Sequence, residues 1–368
     1  MPSLQPARLE RLRGRMAGAG CGLVALGPGD DFRYLCGWSP LADERLCLLL
    51  VTADRHAVVT PRLNLEALRQ TVGAPVFAYG DADDPAPALL DALAFLGGPR
   101  ECVAVSDDLR ADHLLLLQKH LPHSRWRAAS TLLAPLRARK DPSEVEALRR
   151  AARVADEGVQ AALRACRVGA SEVEVAEAAR AAMAASGAEQ VPFVLVASGP
   201  NTALPHHTPG GRRLQPGEPV LVDLGARVDG YCSDVTRMGF LGEPTRRFLE
   251  VWEVVDRALR AALAAVRPGV PASEVDRAAR QVIEAGGYSA QFVHRTGHGL
   301  GLSVHEPPSL HTDNPEVLEV GMAFTVEPGV YLPGEFGIRL EEAVVLGPSG
   351  PEVLSHLPRE VAILGATS

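Results

Sequence analysis

The sequence predicts two mixed α/β units in one chain, an N-terminal α/β module over residues 1–134 and a larger C-terminal α+β domain over residues 135–368. Three observations lead there. The length, 368 residues, exceeds what a single hydrophobic core usually organises. A charged break, Leu136-Arg-Ala-Arg-Lys-Asp-Pro142, separates a region of short alternating elements from a helix-rich one. The C-terminal region also repeats itself, with a period of about 100 residues.

Along the chain, Leu9, Leu12 and Met16 recur at helical spacing and predict a helix near residues 6–18. This arginine-rich start has no continuous apolar core with a cleavage site, so it reads as a helix of the mature protein rather than a targeting segment. Apolar runs predict strands at 22–26, 46–51, 75–78 and 102–105, with helices at about 64–70 and 109–120. After the break, Asp141 or Ser143 can cap a long helix over about 143–164.

Composition narrows the function. Hydrophobic residues are 46% and charged residues 22%, a globular balance, and no apolar run approaches the roughly 18–20 residues of a membrane helix. A net charge of −8 argues against a nucleic-acid partner, because neutralising phosphates needs a basic surface. Six cysteines without a Cys-x-x-Cys pair, in a chain too long to need staples, point to reduced thiols and a cytoplasmic protein.

One repeat copy begins at Arg167-Val-Gly-Ala-Ser-Glu-Val and the next at Arg267-Pro-Gly-Val-Pro-Ala-Ser-Glu-Val, each leading into an alanine-rich helix that stops at Gly187 or at Gly286-Gly287. Phe193 precedes His206 by 13 residues, and Phe292 precedes His305 by the same 13. Apolar strands then end in Val222-Asp-Leu-Gly and Val326-Glu-Pro-Gly, so Asp223 matches Glu327. A duplicated unit of this kind predicts pseudo-twofold symmetry that brings both acidic strand pairs to one place.

Asp229-Gly230 is a two-residue hairpin signal that sets Thr236 opposite Asp223, with Asp234 two residues along on the same face. A second hairpin closed by Tyr331 and Gly337 sets Glu327 opposite Glu341, and Pro328 weakens that register. Four carboxylates gathered in a partly buried cavity repel strongly unless cations compensate them. Two divalent ions would do so. His298, between Gly297 and Gly299, is the natural nitrogen ligand, and oxygen ligands with one imidazole suit Mn²⁺, Zn²⁺ or Co²⁺. Cys232 shares a face with Asp234 and reads as a buried inert thiol.

The segments Val222-Asp-Leu-Gly, Cys232-Ser-Asp-Val-Thr-Arg, His294-Arg-Thr-Gly-His-Gly-Leu-Gly with Val304-His-Glu, Thr325-Val-Glu-Pro-Gly and Gly337-Ile-Arg-Leu-Glu together resemble the pita-bread metallopeptidases. The likeness is to their proline-directed branch, which holds Xaa-Pro dipeptidase (prolidase) and aminopeptidase P. It covers about residues 140–368. The N-terminal module is similar to the creatinase-type domain of this branch, more weakly through Asp31-Phe-Arg-Tyr-Leu-Cys-Gly.

The resemblance implies a C-terminal pita-bread fold and two divalent metal ions per chain. Asp223 would chelate one, His298 and Glu327 would hold the other, and Asp234 and Glu341 would bridge them. It further implies a metal-bridging water or hydroxide as nucleophile, Glu327 as proton shuttle, and His206 and His305 binding the substrate and the tetrahedral intermediate. His294 and Arg339 would line the proline and carboxylate side, with a salt bridge to the carboxylates as the alternative for Arg339. His207 and His311 read as supporting or surface residues. The expected activity is hydrolysis of the bond before proline in a small peptide, first as an Xaa-Pro dipeptidase and alternatively as an aminopeptidase P on longer peptides, in a homodimer. A dipeptidase also needs a cation for the free carboxylate, for which Asp43-Glu44-Arg45 is a candidate turn. A non-catalytic pita-bread binding protein is the alternative of another class, although no ligand position is lost, and a phosphoesterase would lack a basic phosphate cradle.

Overall fold

The computed structural model of the protein describes residues 4–98 and 100–365. They fall in two compact units, Met1–Arg137 and Ala138–Ser368.

In the first unit the strands Leu23–Leu26 (β1), Leu48–Val51 (β2), His56–Pro61 (β3), Val76–Tyr79 (β4), Cys102–Val105 (β5) and Arg125–Ala128 (β6) form one sheet in the order β4-β3-β2-β1-β5-β6. The pairings of β2 with β1 and with β3 are antiparallel, and the others are parallel. β1 and β2 are buried along their whole length, which is why they read as unbroken apolar runs rather than as alternation. The helices are Pro6–Gly18 (α1), Asp30–Cys36 (α2), Leu65–Val72 (α3), Ala86–Leu96 (α4) and Ala111–His120 (α5), and Ser130–Ala138 (α6) follows. Each strand and helix expected from the sequence is present within a few residues of its anticipated bounds. The sequence expectations do not include β3, β6, α2, α4 or α6, and three of these lack a clear sequence signal. α4 is apolar nearly all round and shows no stripe, α2 spans only two turns, and β6 (Arg-Trp-Arg-Ala) is a polar edge strand.

The second unit opens with Pro142–Ala165 (α7). Of the two candidate caps, Asp141 is the one used: its Oδ1 accepts from the backbone of Ser143 and Glu144 at 3.0 Å, and Glu144 Oε2 accepts from the Asp141 backbone at 2.9 Å. Such a box stabilises a helix start by about 1 kcal/mol. Glu172–Ala185 (α8), Gln190–Ser198 (β7), Pro219–Val228 (β8), Tyr231–Cys232 (β9) and Val235–Leu241 (β10) complete the first half. The second half repeats the plan with Arg246–Ala265 (α9), Ala272–Ala285 (α10), Gly297–Gly299 (β11), Glu306–Leu310 (β12), Ala323–Val326 (β13), Gly329–Leu332 (β14), Phe336–Arg339 (β15) and Glu342–Gly347 (β16). Gly350–Val353 (β17) extends this second sheet, in the order β12-β11-β13-β16-β17, and Ala362–Leu364 (β18) joins the first, β18-β10-β8-β7.

The duplication holds at the level of single hydrogen bonds. Gly169 N–H donates to Leu214 O at 2.9 Å and Gly269 N–H to Leu318 O at 2.8 Å, while Leu214 and Leu318 return the bond to Ala170 and Val270. Each half also has its own apolar core. Val159, Val175, Met183 and Val222 pack in the first, and Val255, Leu259, Ile283 and Phe324 in the second. The six cysteines are free and buried. Among the described residues no helix is long and apolar enough to cross a membrane.

Candidate metal centre

The first hairpin folds in the register that its turn dictates. Asp229 at φ 50° and Gly230 at φ 83° form the tight turn, Val228 pairs with Tyr231, and Thr236 lies opposite Asp223. In the second half Tyr331 pairs with Gly337 and Val326 with Glu342, so one register runs through β13/β16 and β14/β15 alike. Pro328 interrupts the ladder between those pairs, as a residue without an N–H must, and Glu327 and Glu341 sit at the interruption.

His298 comes from β11, where the chain passes very close to its neighbours. A Cβ at Gly297 would collide with the carbonyl oxygen of Thr325, and one at Gly299 with that of Pro307, so the two glycines let the short strand fit. The His298 backbone N–H donates to Thr325 Oγ1 at 3.1 Å. Its ring Nδ1 lies 3.1 Å from Gly299 O, to which it can only donate, so Nε2 carries the lone pair when the ring is neutral and an N–H when it is protonated. That Nε2 lies 3.2 Å from Glu327 Oε1 and 3.6 Å from Asp234 Oδ2. Ligand atoms of Asp234, His298 and Glu341 all fall within 4.8 Å of one another.

These groups share a cavity of about 750 Å³. Its walls include all five expected ligand residues, Asp223, Asp234, His298, Glu327 and Glu341, and also His206, His294, His305 and Arg339. The expected set thus converges on one hollow. His207 also borders it, whereas His311 is exposed elsewhere and accepts from the backbone of Asp313. Cys232 is fully buried with its thiol toward Leu302 O. Arg45 is occupied by local acids, at 3.0 Å from Asp43, 2.9 Å from Glu44 and 2.5 Å from Asp81.

Arg339 makes the salt bridge that was the alternative for it. Its guanidinium donates to Asp223 Oδ2, to Tyr331 Oη at 2.8 Å and to Thr236 Oγ1 at 3.3 Å. Tyr331 in turn donates to His294 Nε2 at 2.8 Å, and His294 Nδ1 donates to Arg295 O at 2.7 Å. Sequence reasoning used Tyr331 and Thr236 only to set register and missed their chemistry. The signal was available, because Thr236 was already placed facing Asp223. Thr236 also donates to Glu341 Oε2 at 2.7 Å, and so joins the two hairpins. Arg237, equally unremarked, is buried beneath them and donates to Glu341 O at 2.7 Å and Glu342 Oε1 at 2.9 Å.

The electrostatics of the acids are unequal. Burial, then repulsion from Glu341, Asp223 and Glu327, pushes Asp234 well above the usual carboxylate range, and burial with repulsion from Glu327 and Asp223 does the same to Glu341. Burial also raises Asp223, against the pull of Arg339. Burial opposes ionisation of Glu327 too, but the hydrogen bond and charge of His298 outweigh it and hold that carboxyl below its ordinary value. His305 packs edge-on to His298, ring centroids 4.2 Å apart, and burial together with the charge of His298 lowers it to about 4.

A consequence follows for the metal-free protein. Asp234 and Glu341 have folded pKa values above those of the unfolded chain, so through that window the folded state binds more protons than the unfolded one. Unfolding free energy therefore falls as pH rises through it. Thermal midpoints of chelated protein should decline as pH rises above about 7, beyond the range in which the lowered His305 contributes the opposite slope, and added Mn²⁺ should flatten the decline. A midpoint that rises with pH above about 7 in chelator would contradict the repulsion.

The donor set fits divalent cations. Asp223 Oδ1 is buried with no hydrogen-bond partner among the described residues, an arrangement that is costly unless something positive meets it. Four carboxylates with one imidazole form a hard, oxygen-rich set.

Comparison with known proteins agrees with this geometry. Residues 146–348 match metallopeptidase family M24, and residues 8–139 match the creatinase/prolidase N-terminal domain. The chain is 40% identical to the probable dipeptidase PepE of Mycobacterium bovis over 97% of its own length and 96% of the relative's. It is 34% identical to an Xaa-Pro dipeptidase of Lactobacillus helveticus, covering 90% of this chain and 92% of that one. The solved structure of a prolidase from Thermococcus sibiricus superposes with a TM-score of 0.93 at 33% identity, over 98% of this chain and 99% of the other. With the duplicated pita-bread unit, the creatinase-type N-terminal unit and four carboxylates and an imidazole converging on one cavity, the chain belongs to metallopeptidase family M24.

Proposed function

We propose that this metallopeptidase is an Xaa-Pro dipeptidase that works with two divalent ions, Mn²⁺, Zn²⁺ or Co²⁺. The observation that carries the metal reading is the convergence of Asp223, Asp234, His298, Glu327 and Glu341 on one cavity, with three of the acids pushed up and one oxygen of Asp223 unpartnered. Asp223 would bind one ion, His298 and Glu327 the other, and Asp234 and Glu341 both. When bound, such ions polarise the scissile carbonyl and lower the pKa of water. The preference for proline is supported by the named activities of the Lactobacillus and Thermococcus proteins.

The chain's own residues supply the rest. Glu327, the one acid of the four held below its ordinary value in the metal-free site, can take a proton at Oε2 and return it to the leaving nitrogen. His305 is neutral at physiological pH and keeps one ring N–H, which can donate a hydrogen bond to a developing oxyanion. His206 faces the same cavity from the other half. The chain Arg339 to Tyr331 to His294 fixes the wall on which the proline ring and its carboxylate would rest. We place the enzyme in the cytoplasm, as a homodimer.

Assay of Ala-Pro beside Ala-Pro-Ala, with and without chelator, tests this. Release of proline from the dipeptide, loss of activity on chelation and recovery with Mn²⁺ are expected. Turnover that survives full chelation would end the metal reading, and cleavage of the tripeptide alone would favour an aminopeptidase P.

A further inference from the structure

Glu172, the first residue of α8, is fully buried and takes no part in the chemistry described above. Its carboxylate is nevertheless filled from one loop. Oε1 accepts from the backbone and hydroxyl of Ser198 and from the Asn201 amide, each at 2.9 Å. Oε2 accepts from His207 Nε2 at 2.7 Å and from the Gly210 backbone at 3.3 Å. Burial would raise this carboxyl, but the hydrogen bonds from His207, Asn201 and Ser198 outweigh it and the group is held ionised.

The donors bracket His206 on both sides in the chain. His206 itself is exposed and has no side-chain hydrogen bond among the described residues, so only its backbone aims it into the cavity. A connection of this length between β7 and β8 would drift unless tied down, and a misplacement of about 1 Å at a reacting centre can cost two orders of magnitude in rate. The second half contains a parallel device. Asp276, one turn further along the equivalent helix α10, accepts from the backbone and hydroxyl of Thr296 at 3.1 and 2.7 Å and from Thr312 Oγ1 at 2.7 Å. It also holds Arg280, whose guanidinium reaches His294 O at 3.0 Å. Two different acids at two different helix positions therefore perform one task, anchoring the segment that delivers a histidine to the cavity.

We propose that Glu172 is a positioning residue for His206, with His207 as the strut that joins them. His207 then borders the cavity as a support, with its Nε2 proton committed to Glu172. The inference rests on the reading of His206 as a substrate-side group.

The test is a double-mutant cycle on the metal-loaded, full-length enzyme with an Xaa-Pro dipeptide, and metal content and thermal midpoint are recorded for every variant. Glu172→Gln should keep its metal and lower kcat about tenfold or more, with KM changed by less than about threefold. His206→Ala should lower kcat further, and the double variant should fall no lower than His206→Ala alone, because a strut has nothing left to position. Losses that multiply, or an unchanged kcat in Glu172→Gln, overturn the proposal. An unchanged kcat in His206→Ala overturns the reading beneath it, and the proposal with it. Should Glu172→Gln fail to fold, His207→Phe carries the same cycle from the loop side, and His207→Gln, which retains an N–H donor, should recover part of the loss. No recovery, or a multiplied loss with His206→Ala, is again the overturning result.

Discussion

Glu327→Gln is expected to lower kcat on an Xaa-Pro dipeptide by about a thousandfold or more while the protein stays folded. The size follows from two functions at one carboxylate. As a proton carrier in the transition state it would contribute roughly two to four orders of magnitude, and as a ligand it would also hold an ion beside His298. The substitution keeps the shape of the side chain and leaves an acceptor for Thr325, whose hydroxyl lies 3.3 Å from Oε1. It removes the charge that His298 now faces at 3.2 Å. Steady-state kinetics with metal analysis separates the two functions. Loss of turnover with full metal content points to the proton, and loss of an ion points to the ligand. Retention of most activity would show that the role assigned to Glu327 is wrong.

Arg339→Met should have the largest effect on stability. Arg339 is buried, and its charge is raised in persistence by Tyr331 and the surrounding acids even against desolvation. Removing one partner of a buried ion pair typically costs about 3–5 kcal/mol, because the other charge is left behind. Here the charge left behind is Asp223, already raised by burial and with one oxygen unpartnered. For a unit of this size a loss of about 3 kcal/mol corresponds to a fall of about 6–12 °C in thermal midpoint. The deficit should be larger in chelator than with Mn²⁺, since cations bound only by the folded state restore stability by mass action. Equal midpoints for both proteins in chelator would mean that the guanidinium does not hold the acids together.

Much of the site was legible because its geometry is written in local rules. The Asp229-Gly230 turn fixes a register, the register fixes parity, and parity puts Asp223, Thr236 and Asp234 on one face. The second hairpin follows the same logic, and Pro328 announced the break at which the glutamates sit. What stayed hidden were contacts between residues far apart in sequence with no periodic signal. Thr236 reaches Glu341, Arg237 reaches the carbonyl beneath it, and Glu172 reaches across a loop to His207. No pattern within a single element encodes such bonds. Among the elements of the first unit that carry no periodic signal, α2 is too short, β6 is a polar edge strand, and α4 is apolar at nearly every position, so its helical burial pattern does not show in its sequence.

By itself, then, the sequence determined the duplicated plan, the hairpin registers and the acidic and imidazole groups that meet, because turn chemistry and a period of two leave little freedom. Tertiary structure alone decided how those groups share charge. It set which acid takes the guanidinium of Arg339, which are pushed above the ordinary carboxylate range, and which buried carboxylates hold the histidine-bearing loops. Those outcomes depend on burial and on distances of a few ångströms between segments a hundred residues apart, where Coulomb energy and desolvation compete.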